Sequence, residues 1–180
     1  MKSIICIVWG ISCACLAQDQ IIFTKAFTQT LQHYGLEIHL PDSAWYKVSG
    51  RTTDEYYTYD LIIESLEEDM EIRYRIEPIQ AAGQSPGLQF SGQVATLASN
   101  GESAHLGLKV MTSTYIKHRC QAEWASLASF APKPTLSLKK HAKMLSFYHA
   151  DKGWITSLVL FNDQYKLAEE RVWSLVFKKD

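Results

Sequence analysis

The chain has 180 residues, 47% of them hydrophobic and 21% charged, a composition that suits one ordinary globular domain and excludes long disorder. Its 18 Lys+Arg residues against 19 Asp+Glu leave a net charge of -1, so no broad positive field draws it onto nucleic acid or anionic lipid. A nucleic-acid partner is not expected.

The first segment, residues 1–17 (MKSIICIVWGISCACLA), has one lysine, an uncharged apolar run and a small residue before Gln18-Asp19-Gln20. This is the layout of a secretory signal peptide cleaved after Ala17, which leaves residues 18–180 as a single domain, periplasmic or extracellular. The alternative is a lipid anchor at Cys13 or Cys15, in a setting that resembles a lipobox only loosely: Ser12 and Gly10 stand where that motif carries an aliphatic residue. The apolar run falls short of the roughly 20 residues of a spanning helix, so no membrane span is expected. Cys6 lies in the leader with Cys13 and Cys15, and Cys120 is left alone in the domain, without an internal disulfide.

Along the domain, Ile22, Phe23, Ala26, Phe27, Leu31 and Tyr34 recur at helical spacing, with Gly35 as the stop. Leu36, Ile38 and Leu40 alternate with polar residues up to Pro41 as in a half-buried strand, and Trp45 and Val48 suggest its continuation beyond a turn. Residues 56–64 and 71–77 alternate and are rich in β-branched and aromatic types, which predicts an antiparallel hairpin around the acidic stretch 65–70. Ile72, Tyr74 and Ile76 then face the core, while Glu71, Arg73, Arg75 and Glu77 take the other face. There Asp60 and Glu64 of the partner strand are placed to meet the arginines.

Ser85-Pro86 reads as a helix cap and first turn, followed by Phe90, Val94, Leu97 and Ala98 at helical spacing. Residues 106–121 are mixed, strand-like at Leu106, Leu108 and Val110 and helix-like from Tyr115. Residues 140–149 and 154–161 flank the turn Ala150-Asp151-Lys152-Gly153 and predict a second hairpin. A last helix is expected after a cap at Asn162 or Asp163, with Tyr165, Ala168, Val172, Leu175 and Val176 on its apolar face. The order of elements argues for an α+β domain: an antiparallel sheet built from hairpins and flanked by about three helices.

The residues that could carry chemistry form no complete set. Six histidines (His33, His39, His105, His118, His141 and His149) include no metal-binding motif, and His118 with Cys120 is the one close pair. Ser137-Leu138-Lys139-Lys140 matches S-x-x-K without its companion motifs, and a lone Cys120 lacks a placeable base. Glu67-Glu68-Asp69 lacks the alternation and glycine of a calcium loop, and Gly83, Gly87 and Gly92 are too widely spaced for a phosphate loop. No catalytic residue, metal or cofactor is therefore assigned. Asp60, Glu64, Arg73 and Arg75 form the most interpretable polar surface, since paired arginines on a rigid sheet suit a carboxylate or an acidic partner. Cross-strand ion pairing is the plainer explanation of the same pattern. Tyr56, Tyr57, Tyr59 and Tyr74 crowd the same hairpin, where packing is the ordinary role.

Leu36-Glu37-Ile38-His39-Leu40-Pro41 followed by Trp45, together with the closing order of 143–148, Asp151-Lys152-Gly153, 158–161 and a helix to Phe177, resembles small exported proteins of the PsbP/Mog1/DcrB-like fold. Gln121-Ala122-Glu123-Trp124 is similar to an Ala-Asp-Trp element of bacterial secreted proteins, with Glu123 in place of the aspartate. The resemblance spans about residues 21–177 and implies an antiparallel sheet flanked by helices, with nothing catalytic. Members of that superfamily are assembly subunits, GTPase-interacting proteins or envelope proteins, so it narrows function little. The resulting expectation is a non-enzymatic exported envelope protein acting as an interaction or accessory module with an unknown envelope partner. A binder of a small anionic ligand, in a pocket beside the sheet where Arg73 or Arg75 fixes the anionic group, is the alternative, and a hydrolase using Ser137 or Cys120 comes third.

Overall fold

Alternation of apolar and polar side chains favours strands that bury one face or both, and nearest-neighbour hairpins pair such strands antiparallel. The computed structural model describes residues 22–41, 46–65, 67–78, 85–101 and 106–179. The expected leader, the lipidation alternative at Cys13 or Cys15, and Trp45 lie outside the described residues.

Helix α1 (Lys25–His33) starts where the Thr24 hydroxyl accepts the Phe27 N–H at 3.2 Å. It ends at Gly35, whose φ of 60° suits a residue without Cβ. Strands β1 (Leu36–Ile38), β2 (Tyr46–Ser49), β3 (Thr52–Thr53), β4 (Thr58–Tyr59), β5 (Leu61–Ser65) and β6 (Met70–Glu77) follow. Helix α2 (Pro86–Leu97) is capped as its sequence predicts, with the Ser85 hydroxyl accepting from Leu88 N–H at 3.3 Å. Then come β7 (Gly107–Val110), α3 (Ser113–Cys120), β8 (Trp124–Phe130), β9 (His141–His149), β10 (Gly153–Phe161), α4 (Tyr165–Arg171) and β11 (Leu175–Phe177).

Seven of these strands form one antiparallel sheet in the order β2-β5-β6-β10-β9-β8-β7, so the molecule is an α+β protein built on hairpins. Both predicted hairpins are present, with Leu61 opposite Tyr74 and Ile155 opposite Phe147. The mixed segment resolves into a strand followed by a helix, which brings the described helices to four.

The sheet is covered on both faces. On the first, Ile72, Tyr74, Leu145, Phe147, Ile155 and Val159 pack with α1, α3, α4 and the β1–β11 ribbon. On the second, Ala128, Met144, Trp154, Leu158 and Leu160 pack with Phe90, Val94 and Leu97 of α2 and with Tyr59 and Leu136. All nine residues of β10 are buried, as a central strand between two layers requires. Among the described residues no helix is long and apolar enough to cross a membrane.

The chain departs from the sequence reading at its end. Gln164, not Asn162 or Asp163, occupies the N-cap of α4 and makes no side-chain cap bond. The helix stops at Arg171, and Leu175–Phe177 leaves it to pair with β1, Leu36 standing opposite Phe177. All three residues of β11 are buried, Phe177 against Phe147 with ring centroids 5.2 Å apart. A continuous apolar triplet covered all round satisfies its backbone by pairing with a strand, and helical periodicity does not distinguish that case.

Candidate functional site

The four residues singled out on the β5–β6 hairpin do not form an open cationic surface. Arg73 is 8% exposed, and its Nη1 donates to Asp54 Oδ2 at 2.6 Å, its Nε to Glu71 Oε1 at 2.5 Å and its Nη2 to the Leu136 carbonyl at 3.1 Å. Its guanidinium lies 5.1 Å from the centroid of the Tyr59 ring. Burial works against the charge, but Glu71 outweighs it and holds Arg73 above its ordinary range. Arg73 therefore ties β6 to the loop before β4 and to the turn at Leu136.

Arg75 donates to Glu77 Oε1 at 2.7 Å and stacks 4.2 Å from the centroid of Tyr57. Asp60 does not reach Arg73: its Oδ2 accepts the Ile76 N–H at 2.7 Å, and burial raises its carboxyl. Glu64 stands opposite Glu71 in register and meets Lys47 at 3.6 Å. The expected pairing of Asp60 and Glu64 with the arginines is thus replaced by Asp54, Glu71 and Glu77. For Arg73 register explains it, since Arg73 faces Ile62 across the strand, while Arg75 acts on Asp60 without a hydrogen bond.

The other sequence candidates are also engaged. Cys120 is 1% exposed, donates to the Ile116 carbonyl at 3.4 Å and has its thiol pushed up to about 11 by burial, which suits packing rather than attack. It shares α3 with His118, whose side chain lies on the exposed side while that of Cys120 is buried. The Ser137 hydroxyl accepts the Lys139 N–H at 3.1 Å, a local turn contact. Glu68 is anchored at the hairpin tip, accepting from Arg171 Nη2 at 2.5 Å and from the Tyr46 hydroxyl at 2.9 Å. Burial first, then the Glu68 carboxylate, pushes the Tyr46 phenol up to about 12. Among the described residues no group of three His, Cys, Asp or Glu side chains could hold a metal ion.

The open polar site lies on the first face, at the end of β8, β9 and β10 where the helical layer stops. Alternation along β9 points His141, Lys143, Leu145 and Phe147 to that face; the last two are buried in the core, the first two border a cleft. The cleft is about 480 Å³, within the roughly 300–1,000 Å³ of small-molecule sites. Its floor and walls include Gly107, Ser129, Phe130, Ala142 and Phe161, and its basic residues are Lys140, His141 and Lys143.

His141, Phe161 and Tyr165 make a three-ring wall, with Tyr165 5.1 Å from Phe161 edge-on and 4.7 Å from His141. The Tyr165 hydroxyl and His141 Nε2 share a hydrogen bond of 2.5 Å. Lys143 pairs with Glu169, which is 49% exposed and lines a second cavity of about 310 Å³ with Lys109, Tyr115 and Trp173. That ion pair therefore divides two cavities along the β7 side of the sheet. No carboxylate lines the larger one among the described residues, and Glu169 offsets the Lys143 charge from its border.

Sequence reasoning did not find this cleft, because its residues come from four elements and form no motif. The usable signal is His141-x-Lys143 at the start of a strand whose middle is apolar. No protein-family model matches the chain, and neither a curated protein nor a solved structure does.

Proposed function

We propose that the protein is an exported binding module whose cleft takes a small ligand with an anionic head and an apolar body. The observation that carries this reading is one cavity lined by Lys140, His141 and Lys143 beside the Phe161–Tyr165 ring wall. Lysine ammonium groups on a partly desolvated floor favour a carboxylate, sulfonate or phosphate, and the rings cover its carbon skeleton. Export rests on the leader, and kinship with the PsbP/Mog1/DcrB-like proteins on the short stretches quoted for it.

This reading keeps the anionic-ligand alternative drawn from the sequence and moves it from Arg73, with three nitrogens engaged, and Arg75, paired with Glu77, to the opposite face. Titration with benzoate, phenyl phosphate and short alkyl sulfonates, followed by amide NMR shifts, tests it. Shifts are expected at His141, Lys143 and Tyr165. Lys140→Ala and Lys143→Ala should each weaken binding roughly tenfold, the size of one charge-assisted hydrogen bond. Probes that bind equally well to the doubly substituted protein, or shift only residues near Arg75, would sink the proposal.

A further inference from the structure

The seven-stranded sheet ends at β7, and among the described residues nothing pairs with its outer edge. All four residues of β7 are exposed, and the apolar ones strongly so: Leu108 is 52% and Val110 69% exposed, with Leu106 just before them at 54%. Natural edges are blunted by charge, proline or bulges, whereas this one carries Lys109 as its single charge.

The hydrogen-bond phase of the edge follows from its pairing. Met111 N–H donates to the Ala125 carbonyl at 3.1 Å, so the alternation places Lys109 and Gly107 in hydrogen-bonded pairs with β8. Leu108 and Val110, and Leu106 by the same alternation, therefore turn N–H and C=O outward. Their side chains share the face of Ala128 and Ser126; Gly107 and Lys109 share the opposite face, that of the cleft.

We propose that this edge joins two copies of the chain, β7 against β7, antiparallel about a two-fold axis at Leu108. Three symmetric registers match outward groups within residues 106–110, centred on Gly107, Leu108 or Lys109, and the one on Gly107 leaves Val110 beyond the paired segment. One centred on Lys109 sets two ammonium groups directly opposite in the close, non-hydrogen-bonded pair, which is repulsive. One centred on Leu108 sets Leu108 against its own copy and Leu106 against Val110, a ladder of six apolar side chains on one face. On the other face it sets Gly107 against Lys109 of the second copy. A Cβ at Gly107 would meet nothing within 4 Å, so the glycine leaves that lysine room. Gly107 is a rim residue of the cleft, and each copy thereby supplies a lysine to the other's site. Pairing itself does not depend on the ligand reading; only the added lysine does.

Sedimentation equilibrium of the purified protein, with Leu108→Lys and two cysteine variants, separates the outcomes. The wild type should sediment with two-chain mass and Leu108→Lys with one-chain mass, its far-UV circular dichroism unchanged because the position is exposed. Leu108→Cys should oxidise to a dimer joined through the introduced thiols, since Cα atoms about 5.5 Å apart suit a disulfide. Peptide mapping identifies that link, and Lys109→Cys should not form its equivalent. One-chain mass for the wild type at every concentration, two-chain mass surviving in Leu108→Lys, or linkage at Lys109→Cys in place of Leu108→Cys would overturn the proposal.

Discussion

On one face of the sheet Arg73 and Arg75 stand two residues apart along β6; on the other, His141 and Lys143 stand two residues apart along β9. The first pair is enclosed. Three nitrogens of Arg73 already donate to Asp54, Glu71 and Leu136, and Arg75 is held between Glu77 and Tyr57. The second pair borders an open cleft, with one ion pair to a half-exposed glutamate and one hydrogen bond to Tyr165. A cation is available to a ligand in proportion to the donors its own chain leaves unengaged. Burial and three donated bonds convert Arg73 into a brace, whereas the end of the helical layer leaves the Lys143 ion pair at the border of a cleft, with its glutamate 49% exposed.

The sharpest way to break this contrast is to delete one cation from each face. Arg73→Ala leaves Asp54 and Glu71 half-buried without their partner and should lower unfolding free energy in urea by about 3 to 5 kcal/mol. Lys143→Ala removes a pair whose glutamate is 49% exposed and should cost less than about 1 kcal/mol. Equal losses would mean that both strips are structural. Two glycines extend the comparison. Gly153 has φ 108°, and a Cβ there would collide with the Glu77 carbonyl, so Gly153→Ala should cost more than about 1 kcal/mol. Gly107→Ala, in open space at the cleft rim, should change monomer stability by less than about 0.5 kcal/mol.

The enclosed face also has a pH signature. Burial raises the carboxyls of both Asp60 and Glu77 above their ordinary values, Arg75 acting against it. The folded state therefore holds these protons more tightly than the unfolded chain, and the two groups make stability fall as pH rises from the ordinary carboxylate range through their folded values. Asp69, lowered by its bonds from Lys139 and Asn162, contributes the opposite slope, its stabilisation being lost as pH falls. Urea midpoints across the acid range should show Asp60→Asn/Glu77→Gln gaining on the wild type as pH rises. A constant difference at all pH values would place the two carboxyls outside the enclosed network.

Much of the architecture was legible because its signals are local. The Ser85-Pro86 cap, the Ala150–Gly153 turn and the alternation of β6 each act within a few residues. Strand β8 was not marked at all: WASLASF is rich in alanine and serine, which carry little β-propensity, and its place beside β9 is fixed by packing under α2. Strand β11 was read as helix because its partner, β1, lies at the far end of the sequence. The cleft was illegible for a similar reason. Its position depends on where α4 ends its cover of the sheet, which no single segment encodes, although the switch from His141 and Lys143 to Leu145 and Phe147 marks the boundary once the face is known.

The smallest effect sharpens the contrast most finely. Tyr165 is 52% exposed, and its hydroxyl bonds His141 while its ring packs edge-on against Phe161. Tyr165→Phe keeps the ring and deletes the hydroxyl, so thermal unfolding should move by less than about 0.5 kcal/mol in free energy. Binding of phenyl phosphate should weaken by roughly threefold to tenfold, because loss of the hydroxyl frees His141 to rotate away from an anion on the floor. Stability and binding are thus expected to separate at this residue, as they cannot at Arg73, where one guanidinium braces three segments. If Tyr165→Phe lowers stability as Arg73→Ala does, the ring wall is a brace as well, and the cleft is the unfilled margin of a core rather than a surface shaped for a ligand.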